Sequence, residues 1–321
     1  PDAISVFSSS DMILKVNSPT DEEMSMIKDG SSYISFFQTM KETSKVTALK
    51  DKNVTGYSMH LIPRTTLAQK MDALSSQTNI AGYKAVLIAA CHIEKYMPLL
   101  MTAAGTIPPA KVLVLGAGVA GLSAIATAKR LGSQVEASDV RPEVKEQVES
   151  LGAKFLEVDS ESNDGVGDGG YAKETSDEYK KKQAELLEQR VADSDIVITT
   201  ALIPGRPAPI LISDEMVKSM RPGSVVMDLA AENGGNCSLT KPDEVVDIDG
   251  VMVDGTINLA GTTSVHASQL YSKNVSAFIL HGYDKEKKEI NLEDEIISGS
   301  MFVHAGEIVD ERTKAAIEGN Q

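Results

Sequence analysis

Cysteine is nearly absent from this chain. Cys91 and Cys237 are the two in 321 residues, far apart and at no metal-ligand spacing. That pattern supports neither a disulfide framework nor a zinc ribbon and reads as reduced, packed thiols. Five histidines (His60, His92, His266, His281, His304) form no metal-binding pair, and His60, which ends a strand pattern, reads first as a surface residue. No nucleophile elbow, CxxC or HExxH occurs. No apolar run reaches membrane-spanning length. Ile80–Met101 comes nearest, and His92, Glu94 and Lys95 interrupt it. Positive charge is in deficit, with 31 Lys and Arg against 46 Asp and Glu for a net charge of −15. An acidic surface of that size argues against nucleic acid as a partner and against docking on anionic lipid. The opening residues do not read as a signal peptide. The chain opens at Pro1 without a Met and runs into a strand-like pattern, so it reads as a fragment or processed product of something longer.

What is present is most legible in Lys111–Asp139, KVLVLGAGVAGLSAIATAKRLGSQVEASD. An apolar strand pattern at Val112–Leu115 is followed by Gly116, Gly118 and Gly121 at GxGxxG spacing, then by an Ala-rich helical pattern and a second strand ending at Asp139. This is the order of a dinucleotide-binding βαβ unit. Gly116 suits the tight turn, Gly118 leaves room for a pyrophosphate, and Gly121 lets helix and strand pack closely. Ala117 and Val119 complete the loop, and the helix N-terminus offers free N–H groups and positive dipole to phosphates. Asp139 can accept hydrogen bonds from a ribose diol and would repel a 2′-phosphate, which favours NAD. Arg141, two residues on past Val140, would welcome that phosphate, which leaves NADP open.

At 321 residues the chain is too long for most single cores, and 42% hydrophobic content is that of a globular protein. Strand patterns at Met12–Val16, Tyr33–Phe37 and Val54–Met59 alternate with helical ones at Pro19–Lys28 and Met40–Lys50. That is βαβαβ, hence a second parallel sheet, in a domain whose beginning looks missing. Ile80–Leu100 reads as a long helix, and Ser75–Gln77 run into Asn79–Gly82, a turn-like stretch expected to break the helical pattern there. Beyond Asp139 the alternation continues through strands at Lys154–Val158, Asp195–Ala201, Ser224–Ala230 and Val251–Asp254. Asp159–Thr175, rich in Gly, Ser and acid around Tyr171, reads as a linker or as a mobile lid over a nucleotide. The expected fold is α/β: two doubly wound, Rossmann-like parallel-sheet domains with a cleft between them, the first lacking its N-terminal unit. Residues 1–80 with 262–321 would form that first domain, and residues 81–261 the NAD-binding domain.

Two further constellations stand out. Gln69, Asp72 and Ser75 fall three residues apart, on one face if helical, near Arg64. Such a stripe is a solvated face or a polar clamp for a carboxamide, with Arg64 pairing Asp72. The loops after two later strands carry Ala201 and Leu202, then Glu232 and Asn233 before Gly234–Gly235. In a doubly wound fold such loops face the ligand crevice, or they are tight turns only.

These segments also carry a resemblance. RTTLAQKMDALSSQTNIAGYKAV, GAGVAGLSAIATAKRLGSQVEASDVR, KEQVESLGAKF, GGYAKE, ITTALIPGRPAPILI and PGSVVMDLAAENGGN are similar to the NAD(H)-binding domain I of proton-translocating nicotinamide nucleotide transhydrogenases, over about residues 11–310. The wider family includes alanine dehydrogenases, which share fold and glycine loop but carry a histidine–leucine–alanine segment and a catalytic lysine. The matching segment here looks like Ser35–Thr39, SFFQT, without that histidine. The resemblance implies that Arg64, Asp72 and Ser75 hold the nicotinamide end of NAD(H), and that Gln69 faces NADP(H) on a partner. It places the pyrophosphate at Gly116–Gly121, the adenosine ribose at Asp139, and Tyr171 at the tip of a loop closing over the nucleotide. It implies direct hydride transfer from NADH to NADP+ bound on a separate domain III, and coupling to a membrane proton channel, domain II. It further implies a homodimer, itself not inserted in the membrane, on the cytoplasmic face in bacteria or a matrix-type face in an organelle. A self-contained dehydrogenase of the alanine dehydrogenase type is the alternative.

Overall fold

The computed structural model describes residues 2–157, 177–203 and 206–319. Tyr171, with the Asp159–Thr175 segment expected to be linker or lid, lies outside them. The chain does not begin extended. Ala3–Ser9 is helix α1, because Asp2 accepts the Ser5 N–H as an N-cap and Phe7 is buried on one face. Local capping outweighs the strand-like composition of this short run. Then come β1 (Met12–Asn17), α2 (Asp21–Met26), β2 (Ser32–Phe36), α3 (Thr43–Asp51) and β3 (Thr55–Ser58). A capping box joins Thr20 and Glu23 at the start of α2.

Helix α4 spans Ala73–His92, so it begins and ends earlier than the expected Ile80–Leu100 helix. Asp72 starts it by accepting the Ser75 N–H at 2.8 Å. Asn79–Gly82 therefore lies inside the helix and does not break it. A Cβ on Gly82 would come within 2.1 Å of the Ala120 carbonyl oxygen, so Gly82 serves a close helix crossing and not a turn. Past α4, a small hairpin of β4 (Leu100–Thr102) and β5 (Gly105–Ile107) occupies what reads as helix end and loop.

The next stretch holds β6 (Lys111–Leu115), α5 (Val119–Arg130), β7 (Gln134–Ser138), α6 (Lys145–Ser150), β8 (Lys154–Phe155) and α7 (Asp177–Asp193). It continues with β9 (Ile196–Thr199), α8 (Asp214–Ser219), β10 (Val225–Asp228), β11 (Val245–Ile248) and β12 (Val251–Asp254). The chain closes with α9 (Ser264–Gly282), β13 (Tyr283–Asp284), β14 (Glu289–Ile290), α10 (Glu295–Ser300), β15 (Met301–His304), β16 (Glu307–Ile308) and α11 (Glu311–Gly319).

The chain divides into two compact units, Pro1–Gln77 with Val265–Gln321, and Thr78–Ser264. The first holds a sheet in the order β1-β2-β3-β15-β16. Its first three strands are parallel, while β15 runs antiparallel to β3 and β16 antiparallel to β15. Alternation along β2 sends Tyr33 to one face, in a cluster with Phe37, Leu49 and Phe302, and Ile34 to the other, in a cluster with Tyr57, Met59 and Phe278.

The second unit holds a sheet in the order β11-β12-β10-β9-β6-β7-β8, parallel except for edge strand β11. Val112 and Val114 face a cluster with Val86, Ala89, Ala124 and Ile125. Leu113 and Leu115 face another with Val191, Met216 and Val217. Burial on both faces is why β6 and β9 read as continuous apolar runs. Among the expected packed thiols, Cys237 is buried but Cys91 is exposed on α4.

Candidate dinucleotide site

Strand order in the second unit reverses between β6 and β9, since β7 and β8 lie to one side and β10 and β12 to the other. In doubly wound sheets the crevice at such a reversal, beyond the carboxyl ends of the strands, takes the ligand. Register brings Leu115 level with Ser138 and Thr199, and Thr199 level with Asp228. The glycine loop, Asp139, the Ala201 loop and the Glu232 loop therefore rise from one edge.

The three glycines differ in what surrounds them. Gly116 has φ +100°, and a Cβ there would meet Thr200 Oγ1 at 2.5 Å. A Cβ on Gly121 would lie 1.8 Å from the Gly116 carbonyl oxygen. Gly118 alone of the three faces space, its nearest neighbour being Arg141 Nη2 at 3.9 Å. Gly118 is also the N-cap of α5 and provides no side-chain cap. First-turn N–H groups of a helix lack internal partners, so this open end suits an anion. The loop thus has the clearance and the donors that a dinucleotide pyrophosphate needs.

Asp139 closes the loop from the β7 side. Its carboxylate accepts from Ala117 N at 2.6 Å and Arg141 N at 2.9 Å, and Arg141 grips it with Nε and Nη2, each at 3.0 Å. Burial works against the charged form, but the guanidinium and the two backbone donors outweigh it and hold the carboxyl below the usual carboxylate range. Val140, between them, is strongly exposed.

On the β9 side, Thr200 Oγ1 donates to the Gly116 carbonyl at 3.1 Å. Ala201 is held by a side chain that the sequence did not single out. Asn236 accepts from Ala201 N at 2.9 Å and donates to Ala201 O at 2.9 Å and Pro209 O at 2.8 Å. Asn236 is in turn fixed by buried Asp228, whose carboxylate accepts five hydrogen bonds. The donors are Thr199 Oγ1 (2.9 Å), Ala230 N (2.9 Å), Asn236 N (2.7 Å), Cys237 N (3.0 Å) and Thr240 Oγ1 (2.7 Å). The one available signal was position: DLAAENGGN follows a strand end, which is where such loops are organised. Leu202 is exposed. Glu232 accepts from Asn258 N at 3.1 Å, and Asn233 O accepts from Ala208 N at 2.8 Å.

The Arg64–Ser75 stretch belongs to the first unit. It is not one helical stripe. Gln69 lies in a 3-10 turn, Leu67–Met71, and Asp72 is the joint between that turn and α4. Asp72 binds Ser75 through both the Ser75 N–H and, at 2.5 Å, its hydroxyl. Arg64 and Gln69 are exposed. The expected Arg64–Asp72 ion pair is not found among the described residues, because capping α4 commits that carboxylate to Ser75. Among the described residues, no group of His, Cys, Asp and Glu could hold a metal ion, and no helix is long and apolar enough to cross a membrane.

Sheet reversal, glycine cradle and acidic β7 end are the features of a dinucleotide-binding α/β fold. Comparison places it more closely. Residues 1–81 match the alanine dehydrogenase/PNT N-terminal domain and residues 85–311 the alanine dehydrogenase/PNT C-terminal domain, so the chain belongs to the alanine dehydrogenase/PNT family. It is 47% identical over 315 residues to an NAD(P) transhydrogenase subunit alpha protein of Rhodospirillum rubrum, covering 96% of this chain and 82% of that protein. The crystal structure of transhydrogenase from Sinorhizobium meliloti is similar with a TM-score of 0.86 at 45% identity, covering 96% of this chain and 84% of that one. The alanine dehydrogenase of Halomonas elongata is 26% identical over 315 residues, covering 96% of this chain and 78% of that protein.

Proposed function

We propose that this chain is the NAD(H)-binding component of a proton-translocating NAD(P) transhydrogenase, presenting NADH to NADP+ held on a separate domain. The observation carrying this reading is the glycine cradle at a sheet reversal, in a chain whose transhydrogenase relatives are far more similar than its alanine dehydrogenase ones. Gly116, Ala117, Gly118, Val119 and Gly121, with the start of α5, would hold the pyrophosphate. Asp139, Val140 and Arg141 would frame the adenosine ribose, Ala201 and Leu202 would lie along the adenosine, and Glu232 and Asn233 would reach a ribose. In the first unit, Arg64, Asp72 and Ser75 would hold the nicotinamide end, with Asp72 and Ser75 already locked together. Gln69 would lie at the face that meets the partner, which suits its exposure and that of Leu67.

Bound NADH supplies a hydride. No proton moves with it, so the chain needs no acid–base pair at the reacting carbon, only residues that orient the ring and exclude water. The enzyme would include domain III for NADP(H) and membrane domain II for the proton, with this chain on the cytoplasmic or matrix-type face. A homodimer is part of the proposal. The β4–β5 hairpin and its approach expose Tyr96, Leu99, Met101 and Ile107, an apolar group that a second copy could cover.

The test is hydride transfer from NADH to an NADP+ analogue of distinct absorbance, with and without an added transhydrogenase NADP-binding domain. Turnover only with the partner is expected. Partner-independent reduction of pyruvate with ammonium would overturn the proposal in favour of an alanine dehydrogenase.

A further inference from the structure

The Asp139 carboxylate is already full. A carboxylate offers about four acceptor sites. Arg141 N and Arg141 Nε take those on Oδ1, and Ala117 N and Arg141 Nη2 take those on Oδ2. Two of these donors are backbone groups fixed by the turn. The other two form the fork of one side chain. Asp139 is 5% exposed and Arg141 50% exposed, so the guanidinium covers the carboxylate and is the part free to leave. It also lies over Gly118, 3.9 Å from the point a Cβ would occupy.

We propose that Arg141 is an internal stand-in for the ribose diol, and that nucleotide binds by exchanging with it. A guanidinium edge presents two parallel N–H donors, and a vicinal diol presents two O–H donors. When the fork swings out, one site opens on each Asp139 oxygen, which is the number a diol fills. The backbone donors stay, so the covered carboxylate charge is never left bare during the exchange. The device lowers affinity and speeds release, because the returning fork competes with the departing ribose. It also assigns Arg141 a resting partner other than a 2′-phosphate. This inference rests on the reading of the loop as the NAD(H) site.

The experiment uses the whole chain with Arg141→Met and Arg141→Lys, titrating NADH by calorimetry and timing its release by stopped flow. A half-exposed bidentate pair shifts an equilibrium by a few-fold, so Arg141→Met is expected to bind NADH about fivefold more tightly, through slower release. Arg141→Lys keeps the charge but loses the fork and is expected to fall between. ADP and 2′-deoxy-ADP separate the diol from the phosphates, and the gain should shrink for the deoxy form. Equal gains with both would overturn the exchange, as would unchanged or weaker NADH binding by Arg141→Met beside a parent that binds. A parent that does not bind NADH would instead overturn the site reading itself.

Discussion

Asp228→Asn should loosen the β10 loop far more than the loss of one atom's charge suggests. The parent carboxylate is fully buried and accepts five hydrogen bonds, three from backbone N–H groups. An amide offers one acceptor oxygen. If that oxygen replaces Oδ2, it retains Asn236 N, Cys237 N and Thr240 Oγ1, and the new NH2 group faces the Ala230 N–H and the Thr199 hydroxyl. The hydroxyl can rotate and accept, whereas the N–H cannot. One stranded buried donor costs about 1–3 kcal/mol, and the bonds that remain lose the strength of an ionised acceptor, so the total is about 3 kcal/mol. Native-state amide hydrogen exchange across residues 228–240 reads this locally. The amides of Asn236 and Cys237 should exchange roughly a hundredfold faster at that energy. The looser Asn236 should also release the Ala201 backbone, so NADH affinity falls with it. Exchange within about threefold of the parent, a difference under ~1 kcal/mol, would refute the carboxylate as the loop's organising group.

Asp139→Ala, made in the Arg141→Met background where no fork competes, should weaken NADH binding by ~1–3 kcal/mol in a calorimetric titration, the scale of charge-assisted hydrogen bonds, and unchanged affinity there would remove it from the ribose site. Gln69→Asn should slow hydride transfer to partner-bound NADP+ while NADH affinity holds. A matching loss of affinity would assign Gln69 to the NADH site instead. Gly82→Ala gains about 1 kcal/mol of helix propensity but drives a methyl within 2.1 Å of the Ala120 carbonyl oxygen, so it should lower stability by about 1–2 kcal/mol net in chemical denaturation. A more stable variant would show that α4 and α5 can move apart freely. Burial pushes the Tyr57 phenol up to about 12 and raises Tyr33 and Tyr271 as well. Their folded forms favour the neutral phenol, so this stability is complete below the ordinary phenol pKa of about 10 and is lost as pH rises through the folded value. For Tyr57 alone that is about 2–3 kcal/mol, and Tyr57→Phe should flatten the alkaline limb of the stability profile.

Much of the fold was legible because its signals are local. The apolar runs of β6 and β9 need no partner to be recognised, since burial on both faces leaves no polar alternation. The glycine loop announces itself through its spacing between strand and helix, although what its glycines answer to includes distant groups, Thr200 at Gly116 and Arg141 at Gly118. Errors fall where a distant contact or a cap decides. ISVF reads as strand until Asp2 caps it, and Asn79–Gly82 reads as a turn until Ala120 is placed against Gly82. Antiparallel β15 and β16 complete one sheet and antiparallel β11 the other, beside parallel strands that were plain from their alternation with helices. β15 takes its register from β3, far away in sequence, and no local pattern marks such a pairing.

The candidate site divides along the same line. Spacing and resemblance nominated candidate ligand-facing residues, but neither pointed to the side chains that hold the loops. Asn236 reaches thirty-five residues back to Ala201 and Asp228 gathers donors from β9 to Thr240. Arg141 shows why the distinction matters for chemistry. In sequence it is a cation two residues after an acid, equally suited to a phosphate or to nothing. In the structure its fork occupies the acceptor that would define the nucleotide. Under the exchange we propose, a residue read as a specificity ambiguity would be a competitor, and the affinity of the site would be set by a difference between two bidentate pairs rather than by one.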